Sequence, residues 1–210
     1  MSRRMVPMLF VILAASSLVA PTFAGESEVS VLLGGKSFSD TRLAVAGIDE
    51  TSQFGLKTTL DFDWPVSLAI DVLWAEGDST VDASGVFPLS VKTEMENLEL
   101  DFGVRKYFFD TNPVRLYVGG GVAFAKFDVK QVESGSFGPG ASFSDVIVDD
   151  SNTAVGCWVD GGFGYFVKKV VLGLDLRYSY ATTSVTPAAG SDLDLDISGL
   201  QYAFFMGFRW

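Results

Sequence analysis

The chain has 210 residues, a formal net charge of −11, no histidine and a single cysteine. A chain without histidine cannot perform the common His-based acid/base or Ser-His-Asp chemistry, and one cysteine forms neither a disulfide framework nor a cysteine zinc site. The acidic charge argues against nucleic-acid binding, which needs a basic surface. We therefore expect neither an enzyme nor a cofactor or metal protein.

The N-terminus has the pattern of a targeting segment. Two arginines precede an apolar run over residues 5–20, and Thr22 and Ala24 place small residues at the positions that a signal peptidase reads. A membrane-anchoring helix is the alternative, but serines and a proline interrupt a run that is already short for a bilayer. The sequence predicts a cleaved signal peptide over residues 1–24 and a mature domain over residues 25–210.

Beyond residue 25 the apolar residues recur at every second position, which indicates β-strands. In residues 170–181, for example, leucines and tyrosines share one face, and Gly173, Asp175 and Arg177 share the other. We predict eight such strands, each long enough to cross a membrane at a tilt. They lie near residues 27–36, 52–62, 66–76, 95–108, 114–127, 153–166, 170–181 and 197–210.

The predicted connections alternate between short and long. The short turns are 63–65, 110–113 and 168–169, and the long Gly-, Ser- and Asp-rich connections are 37–51, 77–94, 128–152 and 182–196. An outer-membrane barrel has short periplasmic turns, long extracellular loops and an even number of strands. The pattern predicts an all-β fold, an eight-stranded antiparallel up-and-down transmembrane β-barrel with both termini in the periplasm.

The two faces of the predicted strands differ in chemistry. One face carries large apolar side chains with aromatic groups near the strand ends, which suits a lipid interface. The other face carries glycines and twelve charged side chains, which we expect to form a network inside the barrel. They are Lys36, Lys57, Asp61, Asp71, Glu99, Asp101, Arg105, Arg115, Asp160, Asp175, Arg177 and Arg209.

These twelve groups comprise six acids and six bases, so the predicted lumen is neutral and filled by mutual ion pairs. A secreted barrel of the lipocalin kind is the structural alternative, but so many charges in a ligand cavity would cost too much desolvation. A conducting or catalytic path along these charges is the functional alternative.

Turn lengths also predict the register of the strands. A two-residue turn at Lys168 and Lys169 places Asp160 opposite Arg177. A three-residue turn at residues 63–65 places Lys57 opposite Asp71.

The excess negative charge lies in the long connections, since the chain beyond residue 24 has 13 basic and 26 acidic residues. Solubility and mutual repulsion at a cell surface explain this charge most simply. Bridging to lipopolysaccharide by divalent cations is a sharper hypothesis. Asp192, Asp194 and Asp196 lack the glycine and distal glutamate of an EF-hand loop, so we predict no dedicated metal site there.

The last predicted strand carries a further signal. Its alternating aromatic residues end in Trp210, with Phe208 two positions before it. Together with the signal peptide and the eight strands, this ending resembles the small outer-membrane β-barrel family, which includes the OmpA transmembrane domain, OmpX and OmpW. The resemblance implies that Tyr202, Phe204, Phe208 and Trp210 form the signal read by the barrel-assembly machinery. The pattern departs from the family at Phe205, where a glycine is usual.

Three classes of function occur in that family. A structural or surface-interaction barrel with a closed, charge-filled lumen and acidic extracellular loops fits the residues best, and an OmpW-like passive channel for small or hydrophobic solutes is the alternative. The lipid-modifying enzymes PagP and PagL use catalytic sets that include histidine, which this chain lacks. The resemblance implies outer-membrane lipid, lipopolysaccharide, the barrel-assembly machinery and periplasmic chaperones as partners of a monomer in a Gram-negative cell envelope.

Overall fold

The computed structural model describes the chain from residue 27 onward with a few gaps. The described residues are 27–45, 47–48, 50–62, 64–83, 89–111, 113–136, 142–185 and 193–210. The predicted signal peptide, Asp63 of one predicted turn, and Asp192 lie outside these residues. Among the residues that the structure describes, no helix is long and apolar enough to cross a membrane.

Eight long strands close into an antiparallel barrel, as the alternation predicts. Around the barrel the order is β1-β10-β7-β6-β5-β4-β3-β2, so each strand pairs with its neighbour in sequence apart from two short strands, β8 and β9, which form a separate hairpin. The elements are β1 (Glu28–Phe38), α1 (Thr41–Val45), β2 (Glu50–Leu60), β3 (Ser67–Ala83), β4 (Leu89–Thr111), β5 (Val114–Ser136), β6 (Ser142–Val167), β7 (Val170–Tyr180), β8 (Thr182–Val185), β9 (Leu193–Asp196) and β10 (Gly199–Arg209).

Both register predictions are confirmed. Asp160 of β6 lies opposite Arg177 of β7, and Lys57 of β2 lies opposite Asp71 of β3. The turn between β6 and β7 has two residues, and its first, Lys168, has a positive φ of 61°. Two-residue hairpin turns require such left-handed backbone because it matches the twist of the strands.

Strands β3 to β6 are much longer than the sequence predicts. The prediction of long loops at 77–94 and 128–152 was therefore wrong. Most of these residues continue the strands, and β4 also runs through the start of the turn expected at 110–113. The reason is that both strand faces become polar beyond the predicted ends. Hydrophobic alternation then disappears although the backbone stays extended and paired.

The outward face of the barrel carries a band of apolar side chains, as expected of a lipid-facing surface. Leu174, Leu176 and Met206 are each more than half exposed on this face. On β5 the band ends where Phe124 gives way to Lys126, and on β3 it ends where Trp74 gives way to Glu76. The lipocalin alternative is wrong, because its apolar residues would lie inside.

Two ends of the barrel are distinguished by their connections. The turn end carries both chain ends of the described barrel and the short β2–β3, β4–β5 and β6–β7 turns, and the loop end carries α1 and the β8–β9 hairpin. At the turn end the Trp210 amide donates to the Ser27 carbonyl over 3.1 Å, which joins the two termini.

Apolar clusters occupy both sides of the lumen. On the loop side, Leu43 and Ile48 from the α1 segment and Ile197 from the segment after β9 pack on Phe127 and Met95 of the barrel wall. On the turn side, Leu32, Tyr117, Phe166, Val171 and Phe205 form a second cluster. Between them, Trp158 packs against two alanines. The charged side chains lie between and around these clusters.

Candidate functional site: the charged lumen and the loop-end surface

Ten of the twelve charged side chains expected in the lumen are buried there. Alternate residues of a strand point to opposite sheet faces, so strands β1 to β7 contribute them from their inward faces. They are Lys36, Lys57, Asp71, Glu99, Asp101, Arg105, Arg115, Asp160, Asp175 and Arg177. A charged side chain removed from water is stable only when polar or oppositely charged groups surround it. The contacts among these ten side chains therefore determine whether the lumen can accommodate them.

The centre of the network is a pair of arginines that share carboxylates. Arg105 forms ion pairs with Asp71 and, over 2.7 Å, with Asp160. Arg177 pairs with Asp71 and Asp101, and its contact with Asp160 is 3.5 Å long. Both guanidinium groups also lie on the face of the Trp158 ring, at 5.4 and 4.7 Å. Planar guanidinium groups can satisfy several carboxylates and an aromatic face at once.

Toward the loop side, Lys36 donates to Glu99 over 2.9 Å. The Gln201 amide nitrogen lies 3.3 Å from the same Glu99 oxygen and donates to Ser179 over 3.0 Å. The same nitrogen lies 3.4 Å from the second Glu99 oxygen, so the neutral side chains extend the network and reach the carboxylate oxygen that the lysine does not contact.

Toward the turn side, Lys57 donates to Asp175 over 2.6 Å and to the Tyr117 hydroxyl. Tyr117 donates in turn to Asp175, and its ring centroid lies 3.7 Å from the Lys57 amine. Lys57 thus pairs with a carboxylate across the lumen, although Asp71 is its neighbour in register. The long lysine side chain reaches across an interior that is only wide enough for side chains.

The last ion pair, near the turn end, joins Arg115 to Glu28. The Arg115 guanidinium also lies 3.9 Å from the Tyr107 ring centroid and 4.7 Å from that of Phe166. Glu28 was missed in the sequence, yet it shares the strand face of Lys36, eight residues along β1.

Two of the twelve predicted lumen residues, Asp61 and Arg209, are only half-buried, because they lie at the turn end of the barrel. The Arg209 guanidinium lies 4.1 Å from the Phe166 ring centroid. With Glu28 included, the buried charges of the barrel strands comprise six carboxylates and five cations. The buried charges of the barrel strands therefore include one more carboxylate than cations, whereas the sequence predicted equal numbers.

Several neutral members of the network were also missed. Tyr117 shares the strand face of Arg115, and Trp158 shares that of Asp160. Gln53 on β2 donates to Gln201 over 2.9 Å across the β1 strand. Each of them is separated from a charged lumen residue of its own strand by an even number of positions, so strand alternation would have identified all of them.

The α1 segment is fastened over the loop-side mouth by Asp40. Its carboxylate accepts from the Arg42 amide over 2.8 Å, from the Arg42 guanidinium over 2.8 Å, and from the Asp196 amide over 3.0 Å. The first contact caps the N-terminus of α1, and the last joins α1 to β9. The hydrogen bonds from Arg42 lower the pKa of Asp40 from 3.8 to about 2.

Beyond the apolar band, strands β3 to β6 continue as what we call the extramembrane sheet, residues 76–83, 89–96, 128–136 and 142–152. These residues include ten carboxylates and only two lysines, Lys92 and Lys130. Glu94 lies opposite Lys130 and pairs with Lys92, and these cations lower its pKa. The excess negative charge is thus concentrated on a paired sheet, where loops were expected.

The described residues contain no group of three or more His, Cys, Asp or Glu side chains arranged to hold a metal ion. Within the described end of the 182–196 connection, the exposed Asp194 lies in β9, and Asp196 accepts from the Ser198 amide over 2.9 Å. Cys157, the one cysteine, is exposed on the outward face of β6.

Three aromatic residues of the C-terminal strand lie outside the barrel. Tyr202, Phe204 and Phe208 are exposed on the outward face of β10, and Trp210 follows the strand end. Phe205 points inward and packs against Tyr117. Gly173 on β7 leaves room for the Phe205 ring, since a Cβ there would lie within 2.6 Å of it.

Comparison with known proteins identifies related folds. The family model described as "Outer membrane protein beta-barrel domain" matches residues 10–204. OprG from Pseudomonas aeruginosa is similar in structure, with a TM-score of 0.57, 16% identity, and coverage of 90% of this chain and 97% of that one. A search of curated proteins found no match.

Two further solved structures have the same fold. Neisserial surface protein A has a TM-score of 0.52, 14% identity, and coverage of 88% and 96% of the two chains. A major outer membrane protein from Thermus thermophilus has a TM-score of 0.52, 14% identity, and coverage of 89% and 100%.

Proposed function

Because the chain belongs to the outer membrane protein β-barrel domain family, we propose that it is a closed barrel with a structural or surface-interaction role. The protein lies in the outer membrane, as members of this family do. The observation that carries the proposal is the content of the lumen, where ion-paired side chains stand between two apolar clusters.

The lumen supports a closed barrel for an energetic reason. Moving an ion through it would require separation of Arg177 from Asp71 and Asp101, each of which is buried. Breaking one buried pair by removing a partner costs about 3–5 kcal/mol, which indicates the scale of the barrier. Several such pairs lie along the lumen, so their side chains occupy the interior of the barrel and close it.

The loop-end surface supports display. The extramembrane sheet extends the barrel wall beyond the apolar band by about ten residues on β5, or about 30 Å of strand. Paired strands hold this surface in a defined shape, whereas flexible loops would not. We place this end outside the cell and both termini in the periplasm, consistent with the short turns at the turn end.

The proposed partners follow from this placement. Lipid contacts the apolar band, and lipopolysaccharide surrounds the start of the extramembrane sheet. Tyr202, Phe204 and Phe208 face outward on the last strand and Trp210 follows its end, a position from which the barrel-assembly machinery could bind this signal. These interactions and the monomeric state belong to the proposal.

Conductance tests the closed lumen. We expect purified, folded protein in planar bilayers to show no steady open channels, because the buried ion pairs fill the path. Swelling of proteoliposomes in small neutral solutes would extend the measurement beyond ions, with an open porin as the positive control. Steady channels, or swelling comparable with that of the porin, would instead support the passive channel.

A further inference from the structure

The β6–β7 turn carries two lysines at the edge of the apolar band. Lys168 and Lys169 are both exposed. The residues on either side of them, Val167 and Val170, are 53% and 40% exposed on the outward face of the barrel. The turn therefore lies directly where the lipid-facing surface ends. A lysine in such a place keeps its charge at the level of the lipid headgroups while its methylene groups lie along apolar surface.

The backbone of Lys168 distinguishes this turn from the others. Its φ of 61° is the one positive φ of a non-glycine residue in the described part of the chain. This left-handed region favours glycine, asparagine and aspartate, and it disfavours a long side chain such as that of lysine. Because lysine is conformationally unfavourable here, its presence indicates a role for the charge.

The turn is held against the end of β10. The Arg209 amide donates to the Lys169 carbonyl oxygen over 2.8 Å, and Phe208 lies opposite Val170 in register. The Lys169 ammonium lies 5.8 Å from the centroid of the Phe208 ring, whose face attracts cations. The backbone of the turn and the Lys169 side chain are thus positioned beside an exposed aromatic ring.

The two lysines differ from other exposed lysines in their partners. Lys92 and Lys126 form ion pairs with acidic residues of their own strands, and Lys106 donates to a backbone carbonyl of the β2–β3 turn over 2.8 Å. In the part of the chain that the structure describes, no carboxylate lies within ion-pair distance of Lys168 or Lys169. Their charges are therefore available to an anion from outside the protein.

The surroundings of the turn identify the class of anion. Val167, Val170 and Phe208 form an apolar row directly below the two lysines and favour a ligand with acyl chains. A phospholipid with a net negative headgroup meets both conditions, because its phosphate reaches the lysines while its acyl chains lie along the apolar band. A zwitterionic phospholipid gains less, since its own cationic group neutralises the phosphate.

We propose that the β6–β7 turn binds the phosphate of an anionic phospholipid through Lys168 and Lys169. The acyl chains of this lipid lie against Val167, Val170 and Phe208. The inference deepens the lipid contact of the proposed function and rests on it, because the turn reaches lipid headgroups only when the barrel spans a bilayer. In the proposed orientation the lipid belongs to the periplasmic leaflet.

Lipid titration followed by native mass spectrometry tests the proposal. The folded full chain in a nonionic detergent is titrated with phosphatidylglycerol, which is anionic, and with phosphatidylcholine of the same acyl chains. Glycerol phosphate has the anionic group without acyl chains and serves as a competitor that distinguishes a free anion from a lipid. We expect phosphatidylglycerol to bind about tenfold more tightly than phosphatidylcholine, and glycerol phosphate not to displace it.

Matched double variants locate the site. K168Q/K169Q removes both charges of the turn, and K92Q/K130Q removes two lysine charges from the extramembrane sheet. K168Q/K169Q should reduce the preference for phosphatidylglycerol to about twofold or less, whereas K92Q/K130Q and the charge-conserving K168R/K169R should keep it.

The single variant Lys168→Asn separates lipid binding from turn stability. Asparagine tolerates left-handed backbone, so we expect the urea midpoint to stay the same or rise. Binding of phosphatidylglycerol should nevertheless weaken about threefold, because one of the two cations is lost.

An unchanged preference for phosphatidylglycerol in K168Q/K169Q, or equal binding of the two lipids by the unsubstituted chain, would overturn the proposal. Displacement of phosphatidylglycerol by glycerol phosphate would also overturn it, since a free anion would then occupy the turn. Lower stability of Lys168→Asn with unchanged binding would overturn the role of Lys168. None of these results changes the conductance expected of the closed lumen, so failure here is distinguishable from failure of the proposed function.

Discussion

Each buried arginine of the lumen contacts more than one group. Asp71 accepts from both Arg105 and Arg177, while Trp158 presents its ring to both guanidinium groups. This sharing matters because the free-energy cost of burying an unpaired charge exceeds the gain from a single ion pair. The stability of the network therefore depends on its completeness, and removal of one member leaves several others uncompensated.

Arg177→Met tests this dependence. The change leaves Asp101 and Asp71 without one cation each, so we expect the free energy of unfolding to fall by about 3–5 kcal/mol. Urea unfolding in phospholipid vesicles measures it. Lys92→Met is the control, because it removes an equal charge from an exposed ion pair, and we expect little change. Equal effects of the two variants would contradict a cooperative buried network.

Asp40 gives a prediction for the loop end. Asp40→Ala removes the α1 cap and the link to β9, so we expect the amides of Arg42 and Asp196 to lose protection from hydrogen exchange by about 1 kcal/mol. Since folding lowers the pKa of Asp40 from 3.8 to about 2, its stabilisation is complete above pH 3.8 and is lost as the pH falls through about 2.

Direct titration of the Asp40 carboxyl by NMR checks the direction of this shift. A midpoint near 3.8 would show that the carboxylate gains nothing from Arg42 in the folded protein. Glu133→Gln is the control for hydrogen exchange at Arg42 and Asp196, because Glu133 lies on the outer part of β5 between Val91 of β4 and Asp145 of β6.

At the scale of the strands, glycine controls how large groups fit inside a narrow barrel. A Cβ on Gly103 of β4 would lie 2.7 Å from Cζ2 of Trp158, well inside contact distance. Gly161 on β6 has open surroundings, since the nearest atom to its Cβ position is the Tyr117 carbonyl oxygen at 3.6 Å. The two glycines lie in the barrel wall and differ in what surrounds them.

We expect Gly103→Ala to displace the Trp158 indole and to destabilise the barrel by about 1–3 kcal/mol. The urea midpoint gives the stability, and tryptophan fluorescence reports the change around the ring. Gly161→Ala should leave both nearly unchanged. A tolerated Gly103→Ala would contradict the close packing of Trp158 against β4.

The strands show what alternation can and cannot predict. It identified all eight barrel strands, because lipid requires an apolar outward face at every second residue. The lengths of two turns, in addition, predicted the register of β2 with β3 and of β6 with β7. Alternation missed the outer parts of β3 to β6, where no lipid or core constrains either face. There the pairing of backbone groups between long hairpins sustains the strand without leaving a hydrophobic pattern.

The same limit applies to the lumen. Parity placed Lys57, Asp71 and Asp175 inside, and would have placed Glu28 there too. It did not predict that Lys57 pairs with Asp175 while Asp71 pairs with the arginines. The register determines which residues are neighbours on adjacent strands, whereas the ion pairs form across the interior. Which carboxylate a cation pairs with depends on side-chain length and on the tilt of the strands.

For the whole molecule, the arrangement from one end to the other is a sequence of layers. The turn-side apolar cluster is followed by the ion-paired lumen, the loop-side cluster with α1, and the acidic extramembrane sheet. The Arg115–Glu28 pair lies beside the turn-side cluster, and the two arginines that share Asp71 lie between the two clusters. Charge that would be costly in lipid is thus either paired inside the wall or carried beyond the apolar band.

The orientation of these layers in the membrane gives the last prediction. In a Cys157→Ser background, Val146→Cys places a thiol on the exposed part of the sheet and Lys169→Cys places one in the β6–β7 turn. A membrane-impermeant maleimide should label Val146→Cys on intact cells, and Lys169→Cys only after the outer membrane is permeabilised. The reverse pattern would place the turn end outside the cell. The acidic sheet would then face the periplasm.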